Sequence, residues 1–464
     1  MGVAVSDSRL ARAVSMAGQL GVVSGTGLTQ MFARRLQDGD FTGEVRRALS
    51  NFPFPKMAQR MLDVFYQPEG REENQPYKAA EKIEIKSNRW ADELGIIAGF
   101  VEIFLAKENH SNPVGINLLE KIQIPHLPIL YGAMLAGVSV VIMGAGIPTG
   151  IPGALDAMAE HKPASYCIQI KGATSCTDCI RTFDPADFIE EGFSAGPLLR
   201  PDFLPIISTD LLATMLLRQV RNSTIEGFIV ESHIAGGHNA PPRGKMILDD
   251  EGQPVYGVRD TADLQNIAKL GLPFWLAGGY GSHAKFQEAL DCGAAGVQVG
   301  TPFALCRESG FSAHVKHELI SAVLAGKSRV YTDRLASPTG YPFKVADVSG
   351  TLSEPAVFES RRRVCDLGLL REYYVRENGT IGFRCAAEPV EAYVAKGGDI
   401  NNTHGRKCIC NALLSAAGKP QIRADGTYEP EIITIGDDVV NIGLFCAEGN
   451  TDFTAMHVIK TILG

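Results

Sequence analysis

FWLAGGYGS, at residues 274–282, decides the fold of this chain together with GVQVGT at residues 296–301. In both stretches a short apolar run passes directly into glycine. Such runs are typical of buried parallel strands, whose carboxyl ends carry ligand-binding loops. Two strand-to-glycine turns in succession predict a phosphate cradle built from backbone N–H groups. The candidate residues of this cradle are Gly278, Gly279 and Gly300.

The same pattern occurs earlier in the chain, where Val- and Ile-rich runs alternate with amphipathic stretches of helical length. The earlier runs are Gly21–Ser24, Val114–Asn117, Ser139–Met143, Leu204–Ser208 and Gly227–Glu231. Alternation of buried strands with helices indicates βα units. The sequence therefore predicts an α/β fold, a TIM (β/α)8 barrel, with the visible runs falling just short of a closed barrel.

Three segments lie outside this alternation. Residues 29–112 are predicted to form a helical insertion that caps the barrel, with helices at Met31–Leu36, Lys56–Phe65 and Ala91–Ala106. Residues 164–201 are interpreted as a loop elaboration. The barrel is predicted to occupy residues 1–348, and residues 349–464 a C-terminal accessory region with several cysteines.

The composition favours small-molecule chemistry. The chain has 464 residues, of which 45% are hydrophobic and 21% charged, and a formal net charge of −8. No basic cluster predicts a nucleic-acid or membrane partner. No secretory signal is readable, so a cytoplasmic location is expected. The uncharged stretch 127–155 is broken by glycine and proline, so it is interpreted as helix, strand and loop and not as a membrane span. We also expect a homo-oligomer.

The segment FIVESHIAGGH, residues 228–238, carries the candidate chemistry. Paired glycines after a strand let the backbone approach a flat ligand or a phosphate closely. A histidine beside them, here His238, can exchange protons near neutral pH. This combination suits a flavin site. The alternative is an ordinary glycine turn with a surface histidine.

Three of these motifs, AGGH at 235–238, AGG at 277–279 and QVGT at 298–301, resemble the nitronate monooxygenase (2-nitropropane dioxygenase) family. They are also similar to motifs of the related FMN-dependent enoyl-ACP reductases. PVGIN at 113–117 and MGAGIP at 143–148 extend the likeness. The resemblance implies FMN as cofactor and His238 as the proton-transfer residue. The implied cofactor-binding residues are Asn117, Glu231, Gly236, Gly237, Gly278, Gly279, Gln298, Gly300 and Thr301.

The sequence departs from the family pattern in three places. Glu231 stands where the family has glutamine, and Ile234 stands where it has glutamate. The glutamate resembles the trans-acting enoyl reductases of polyunsaturated-fatty-acid and polyketide synthases. MGVAVS, residues 1–6, looks like the end of a first strand-to-glycine turn whose strand is missing. We expect a truncated start; the alternative is a barrel with a gap, which would expose backbone hydrogen-bonding groups.

The resemblance implies an FMN-dependent oxidoreductase that converts a nitronate and O2 into a carbonyl compound and nitrite. One alternative is an enoyl-thioester reductase that takes hydride from NAD(P)H and serves an acyl carrier protein. An alternative of another class is a non-catalytic flavin-binding component of a synthase complex. The retained His238 argues against that last hypothesis, because binding alone needs no proton-transfer group.

Cysteines form the remaining candidate site. Cys365, Cys385, Cys408 and Cys410 lie in the accessory region and suggest a zinc or iron–sulfur site. Their spacing matches no standard pattern, so buried reduced thiols are the alternative. Cys176 and Cys179 form a CxxC motif. A disulfide framework is not expected in a cytoplasmic protein.

Overall fold

The computed structural model describes residues 2–86, 88–176, 179–193, 196–446 and 451–464. The strands within these ranges are β1 (Gly21–Ser24), β2 (Val114–Leu119), β3 (Val140–Gly144), β4 (Ala164–Cys167), β5 (Ile180–Phe183), β6 (Asp202–Ile207), β7 (Phe228–Glu231), β8 (Phe274–Ala277), β9 (Gly296–Gln298), β10 (Val330–Asp333), β11 (Phe343–Ala346), β12 (Glu372–Val375) and β13 (Ile381–Arg384).

The main sheet has the order β1-β2-β3-β6-β7-β8-β9, and its paired strands are parallel. Each of the seven strands predicted from the sequence is present, so the α/β prediction is confirmed. Successive side chains along these strands point to opposite faces of the sheet and so belong to two different hydrophobic cores. Ile142, Leu204 and Ile229 form a small cluster inside the curled sheet, whereas Val141 and Phe203 belong to the large core beneath the helices.

The α-helices within the described ranges are α1 (Ser8–Met16), α2 (Leu28–Gln37), α3 (Glu44–Ser50), α4 (Pro55–Phe65), α5 (Arg89–Lys107), α6 (His126–Leu135), α7 (Ile151–Ala159), α8 (Asp210–Gln219), α9 (Leu264–Ala268), α10 (His283–Asp291), α11 (Thr301–Leu305), α12 (Ala313–Leu324), α13 (Pro355–Ser360), α14 (Val390–Ala395), α15 (Ile409–Ala416) and α16 (Ala455–Leu463). Side-chain caps fix several beginnings. The side chains of Asp7, Thr209 and Ser282 accept backbone N–H bonds at the starts of α1, α8 and α10.

The helices predicted in residues 29–112 are present, but α5 does not cap the barrel. This helix packs against α1, α6, β1 and β2. Two parallel neighbours such as β1 and β2 need a crossover connection, and α5 supplies it on the outer face of the sheet. Helices α5 and α6 approach each other closely because Gly99 has no side chain. A Cβ at this position would come 2.2 Å from the carbonyl oxygen of Ile129 in α6. The cap prediction is therefore wrong for α5.

The sheet is not closed between β1 and β9 within the described residues. Residues 2–6 run beside β1, where Ser24 N donates to Ser6 O at 2.8 Å and Ser6 Oγ donates to Val22 O at 2.6 Å. Helix α16 packs against α1 and α10 near this opening. Met1, part of the predicted first turn, lies outside the described residues.

The loop elaboration predicted at 164–201 contains an antiparallel hairpin of β4 and β5. Thr177, Asp178, Ser194 and Ala195 of this segment lie outside the described residues. Within the described ranges, no helix combines the length and the apolar character needed to cross a bilayer. The uncharged stretch 127–155 forms most of α6, strand β3, a loop and the start of α7, so its interpretation as helix, strand and loop is confirmed.

Candidate active site

One cavity of about 550 Å³ at the carboxyl ends of the strands brings the predicted flavin-site residues together. The predicted residues that line it are Asn117, Glu231, Gly236, Gly237, His238, Gly278, Gly279, Gln298, Gly300 and Thr301. The fold thus brings all the predicted flavin-site residues to one cavity, at the end of the strands where a barrel places its ligand site. Their individual roles stay predictions.

Sheet register explains why residues far apart in sequence meet here. Ala277 of β8 is paired with Glu231 of β7 on one side and with Gln298 of β9 on the other. Across the sheet, Asn117 of β2 is paired with Ser24 of β1. Because all these strands are parallel, their last residues share one edge of the sheet, and the side chains at that edge surround one cavity.

The C-terminal part of the chain holds His238 in place. His238 bridges to Phe343 of β11, and its Nε2 lies 2.7 Å from Ser337 Oγ, which in turn lies 2.7 Å from Thr339 Oγ1. The ring also meets Phe343 edge to face, with 4.9 Å between ring centroids. The sequence did not predict Ser337, because no local motif shows that a residue so far along the chain faces His238.

The protonation of His238 differs from expectation. Desolvation lowers its pKa well below the usual value of 6.5, and the positive charge of Lys121 lowers it further. This lowered pKa differs from the expectation that His238 exchanges protons near neutral pH, because the side chain is enclosed beside Lys121. His238 is a neutral imidazole at neutral pH, with one N–H donor and one acceptor nitrogen.

Lys121 is the cation at this site, and the sequence analysis missed it. Desolvation lowers its pKa to about 7, while Glu231 opposes that shift. Its Nζ lies 3.6 Å from the ring centroid of Tyr341, a cation–π contact. Desolvation raises the pKa of Glu231 to about 6, and Lys121 opposes this. A signal existed in the sequence: Glu120 and Lys121 directly follow β2, where barrels place functional side chains.

A second cavity, of about 690 Å³, lies beside the first. Thr26, Ile122, Leu369 and Leu370 line both cavities. Lys121 and Glu120 line the second one. Glu120 is buried, and desolvation raises its pKa to about 7. The two cavities together provide room for a cofactor and for a second molecule beside it.

Three observations test whether a flavin nucleotide fits the first cavity. Gln298 Oε1 is a buried acceptor without a hydrogen-bond partner among the described residues, as expected where a ligand donor is to bind. A Cβ on Gly237 or Gly300 would meet no atom within 4 Å, so both glycines border open space. The hydroxyl of Thr301 is instead occupied, because it donates to Asp438 Oδ1. The ring-binding end fits, and the phosphate end already holds a carboxylate.

The predicted metal site is not formed. Among the described residues, which include all four candidate cysteines, no group of three or more His, Cys, Asp or Glu side chains is arranged to hold a metal ion. Cys365 and Cys385 interact as a hydrogen-bonded thiol pair, which lowers the pKa of Cys365 to about 7. Cys410 lines the first cavity, and Cys408 is buried beside the amide of Asn411 at 3.5 Å. Two of the four thiols thus pair with each other, while Cys408 contacts Asn411 and Cys410 lines the cavity.

The cysteine pairing in residues 164–201 corrects a second expectation. Cys167 forms a disulfide with Cys176, although no disulfide was expected. Cys167 ends β4, and Cys176 returns beside it across a short loop, which brings the two sulfur atoms into bonding range. Cys179, the other residue of the CxxC motif, is buried. Thr177 and Asp178, the middle of that motif, lie outside the described residues.

Part of the chain that forms this site is similar in sequence to nitronate monooxygenases. Residues 203–330 match the family model described as nitronate monooxygenase. A probable nitronate monooxygenase of Bacillus subtilis (strain 168) is 32% identical over 142 residues, which are 30% of this chain and 36% of the relative. The chain therefore spans about a third of the length of that relative. The matched region contains β6 except its first residue, strands β7 to β9, and the glycine turns that follow β7, β8 and β9.

Two solved structures with similarity to this chain are a FabK and a nitroalkane oxidase. FabK from Thermotoga maritima is 16% identical, with a TM-score of 0.46 and coverage of 100% of this chain and 90% of that chain. Nitroalkane oxidase from Streptomyces ansochromogenes is 14% identical, with a TM-score of 0.42 and coverage of 100% and 92%. The family match over residues 203–330 confirms the resemblance inferred from the AGGH, AGG and QVGT motifs, and it holds for that segment of the chain.

Proposed function

We propose that this protein is an FMN-dependent oxidoreductase that oxidises a nitronate, the deprotonated form of a nitroalkane, to a carbonyl compound and nitrite with O2. The observation that carries the proposal is the cavity in which all the predicted flavin-site residues meet; all of them except Asn117 lie in the segment that matches the nitronate monooxygenase family. Bound FMN would supply the electron-accepting centre. The chain supplies binding, orientation and proton handling.

The residues divide into two groups by their chemistry. Gln298, with its unpartnered acceptor, and the glycines at 236–237 would hold the flavin ring, while Gly300 and Thr301 would hold its phosphate. On the substrate side, Lys121 would attract the anionic nitronate. Its charge interacts with both Glu231 and His238 and lowers the pKa of His238. The adjoining cavity, which Lys121 lines, would admit the substrate.

His238 would handle a proton beside the substrate. Because its Nε2 is engaged by Ser337, Nδ1 is the nitrogen left for another partner. Because its pKa is held well below 6.5, the neutral imidazole would form a hydrogen bond with the substrate at Nδ1 and carry a proton there only transiently, while Ser337 keeps the ring oriented.

The second candidate is an NAD(P)H-dependent enoyl-thioester reductase, with its substrate delivered on an acyl carrier protein. Glu231 favours it, and so does the adjoining 690 Å³ cavity, which would accommodate a nicotinamide or a thioester chain. A non-catalytic flavin-binding role is the remaining hypothesis.

Steady-state assays on FMN-reconstituted protein test the proposal. Nitrite release from a nitronate in air, without nicotinamide, is the expected result. Reduction of an enoyl thioester by NADPH without nitrite release would favour the second candidate. Tight flavin binding with neither activity would favour the non-catalytic role.

A further inference from the structure

A short strap from the C-terminal region, residues 434–438, crosses the glycine turns of the candidate flavin site. Gly237 N donates to Thr434 Oγ1 at 2.7 Å, and Asp437 N donates to Ile234 O at 3.0 Å. A Cβ on Gly236 would come 2.8 Å from the backbone of Ile435. The strap is therefore fitted against the turn that follows β7.

The strap places the carboxylate of Asp438 in the predicted phosphate cradle. Thr301 Oγ1 donates to Asp438 Oδ1. Asp438 Oδ2 lies 3.2 Å from the position that a Cβ on Gly281 would take. Asp438, Thr301 and Gly300 all line the 550 Å³ cavity. The hydroxyl of Thr301, which we assign to the phosphate of FMN, thus already donates to the carboxylate of Asp438.

No cation among the described residues forms a salt bridge with Asp438. Lys344 pairs instead with Asp437, with Nζ 2.7 Å from Oδ1 and 2.5 Å from Oδ2. Desolvation raises the pKa of Asp438, and the neighbouring charge of Asp437 adds to this. A phosphate brought to Thr301 would therefore meet an unneutralised carboxylate in direct contact, and two anions repel strongly at such a distance.

We propose that Asp438 is a specificity-determining residue of the flavin site: its carboxylate competes with the phosphate of FMN for Thr301, so that FMN binds only when the strap moves, whereas riboflavin binds without displacing it. The inference rests on the proposed flavin site and goes beyond it, because it makes cofactor loading depend on the C-terminal region.

Flavin affinity tests this directly, with fluorescence quenching used to measure the dissociation constants of FMN and riboflavin separately. Asp438→Asn keeps the size of the side chain and an acceptor for Thr301 but removes the charge. We expect it to tighten FMN binding about tenfold or more, as for removal of a like-charge contact, and to leave riboflavin unchanged. Asp437→Asn is the matched control, because it removes an adjacent charge that does not touch Thr301.

The outcomes are separable. Equal changes in FMN affinity for both variants would indicate a general charge effect and would overturn the role of Asp438. Unchanged or weaker FMN binding in Asp438→Asn would overturn it as well, while leaving the flavin site intact. If no variant binds either flavin, the proposed function itself fails. Asp438→Ala provides a second variant with the same expectation, should Asp438→Asn fold poorly.

Discussion

His238 is the side chain on which the catalytic hypothesis depends. We expect His238→Ala to retain FMN but to lower turnover with the nitronate by roughly 10²-fold or more, as for loss of a positioned proton-transfer group. Ser337→Ala removes the contact to Nε2 together with the contacts between Ser337 Oγ and Thr339, and it should have a smaller effect than His238→Ala. Turnover and bound flavin are measured in parallel. Full activity of His238→Ala, or complete flavin loss, would show that the assigned role is wrong.

Gly300 provides the cleanest test of the phosphate cradle. Its φ of −120° is accessible to any residue, and an added Cβ would meet nothing within 4 Å. Gly300→Val should therefore fold normally but fill the space for the phosphate, weakening FMN binding by at least tenfold. Gly279, at φ +85°, would be strained by the same change and is a poorer probe.

Gly257→Val is the matched control for Gly300→Val, since Gly257 also has negative φ and open space but does not line the cavity. FMN affinity and thermal stability are measured for both variants. If Gly300→Val binds FMN as tightly as Gly257→Val, the phosphate lies elsewhere.

At the scale of elements, the segment after β2 carries a carboxyl group whose titration affects stability. The pKa of Glu120 is raised from 4.5 to about 7, so the folded state holds its proton to higher pH than the unfolded state. This contribution to stability is complete below pH 4.5 and is lost as the pH rises through 7. The loss is at most about 3 kcal/mol, from 1.36 kcal/mol per pH unit.

Glu120→Gln should remove that pH dependence and stabilise the protein at pH 8. Denaturant unfolding at pH 5 and pH 8 gives the difference for wild type and variant, with Glu69→Gln as control at an exposed carboxylate. An unaltered pH difference in Glu120→Gln would contradict the assignment.

The elements were predictable to different degrees. The strands of the main sheet follow from apolar runs that end in or just before Gly, Ser, Asn or Glu, a signal that each segment carries by itself. The position of α5 does not, because helical periodicity shows that a helix forms but not which face of the barrel it covers. The disulfide between Cys167 and Cys176 likewise depends on a chain reversal that the spacing alone did not indicate.

At the scale of the whole molecule, the two halves of the site differ in predictability. The turns after β7, β8 and β9 belong to known motifs, and parallel topology brings their ends together. Ser337, Thr434 and Asp438 reach the same cavity from the C-terminal region, through contacts between residues distant in sequence. No local pattern predicts such contacts. A cytoplasmic location, a homo-oligomer and the boundary at residue 348 stay predictions.

An anaerobic titration of the FMN-reconstituted protein, followed by its visible absorbance, tests the central claim most directly. The protein is mixed first with NADPH and then with a nitronate. We predict that NADPH leaves the flavin oxidised and that the nitronate reduces it, since Lys121 and His238 are suited to a small anion rather than to hydride delivery. Rapid bleaching by NADPH, with no response to the nitronate, would contradict the account.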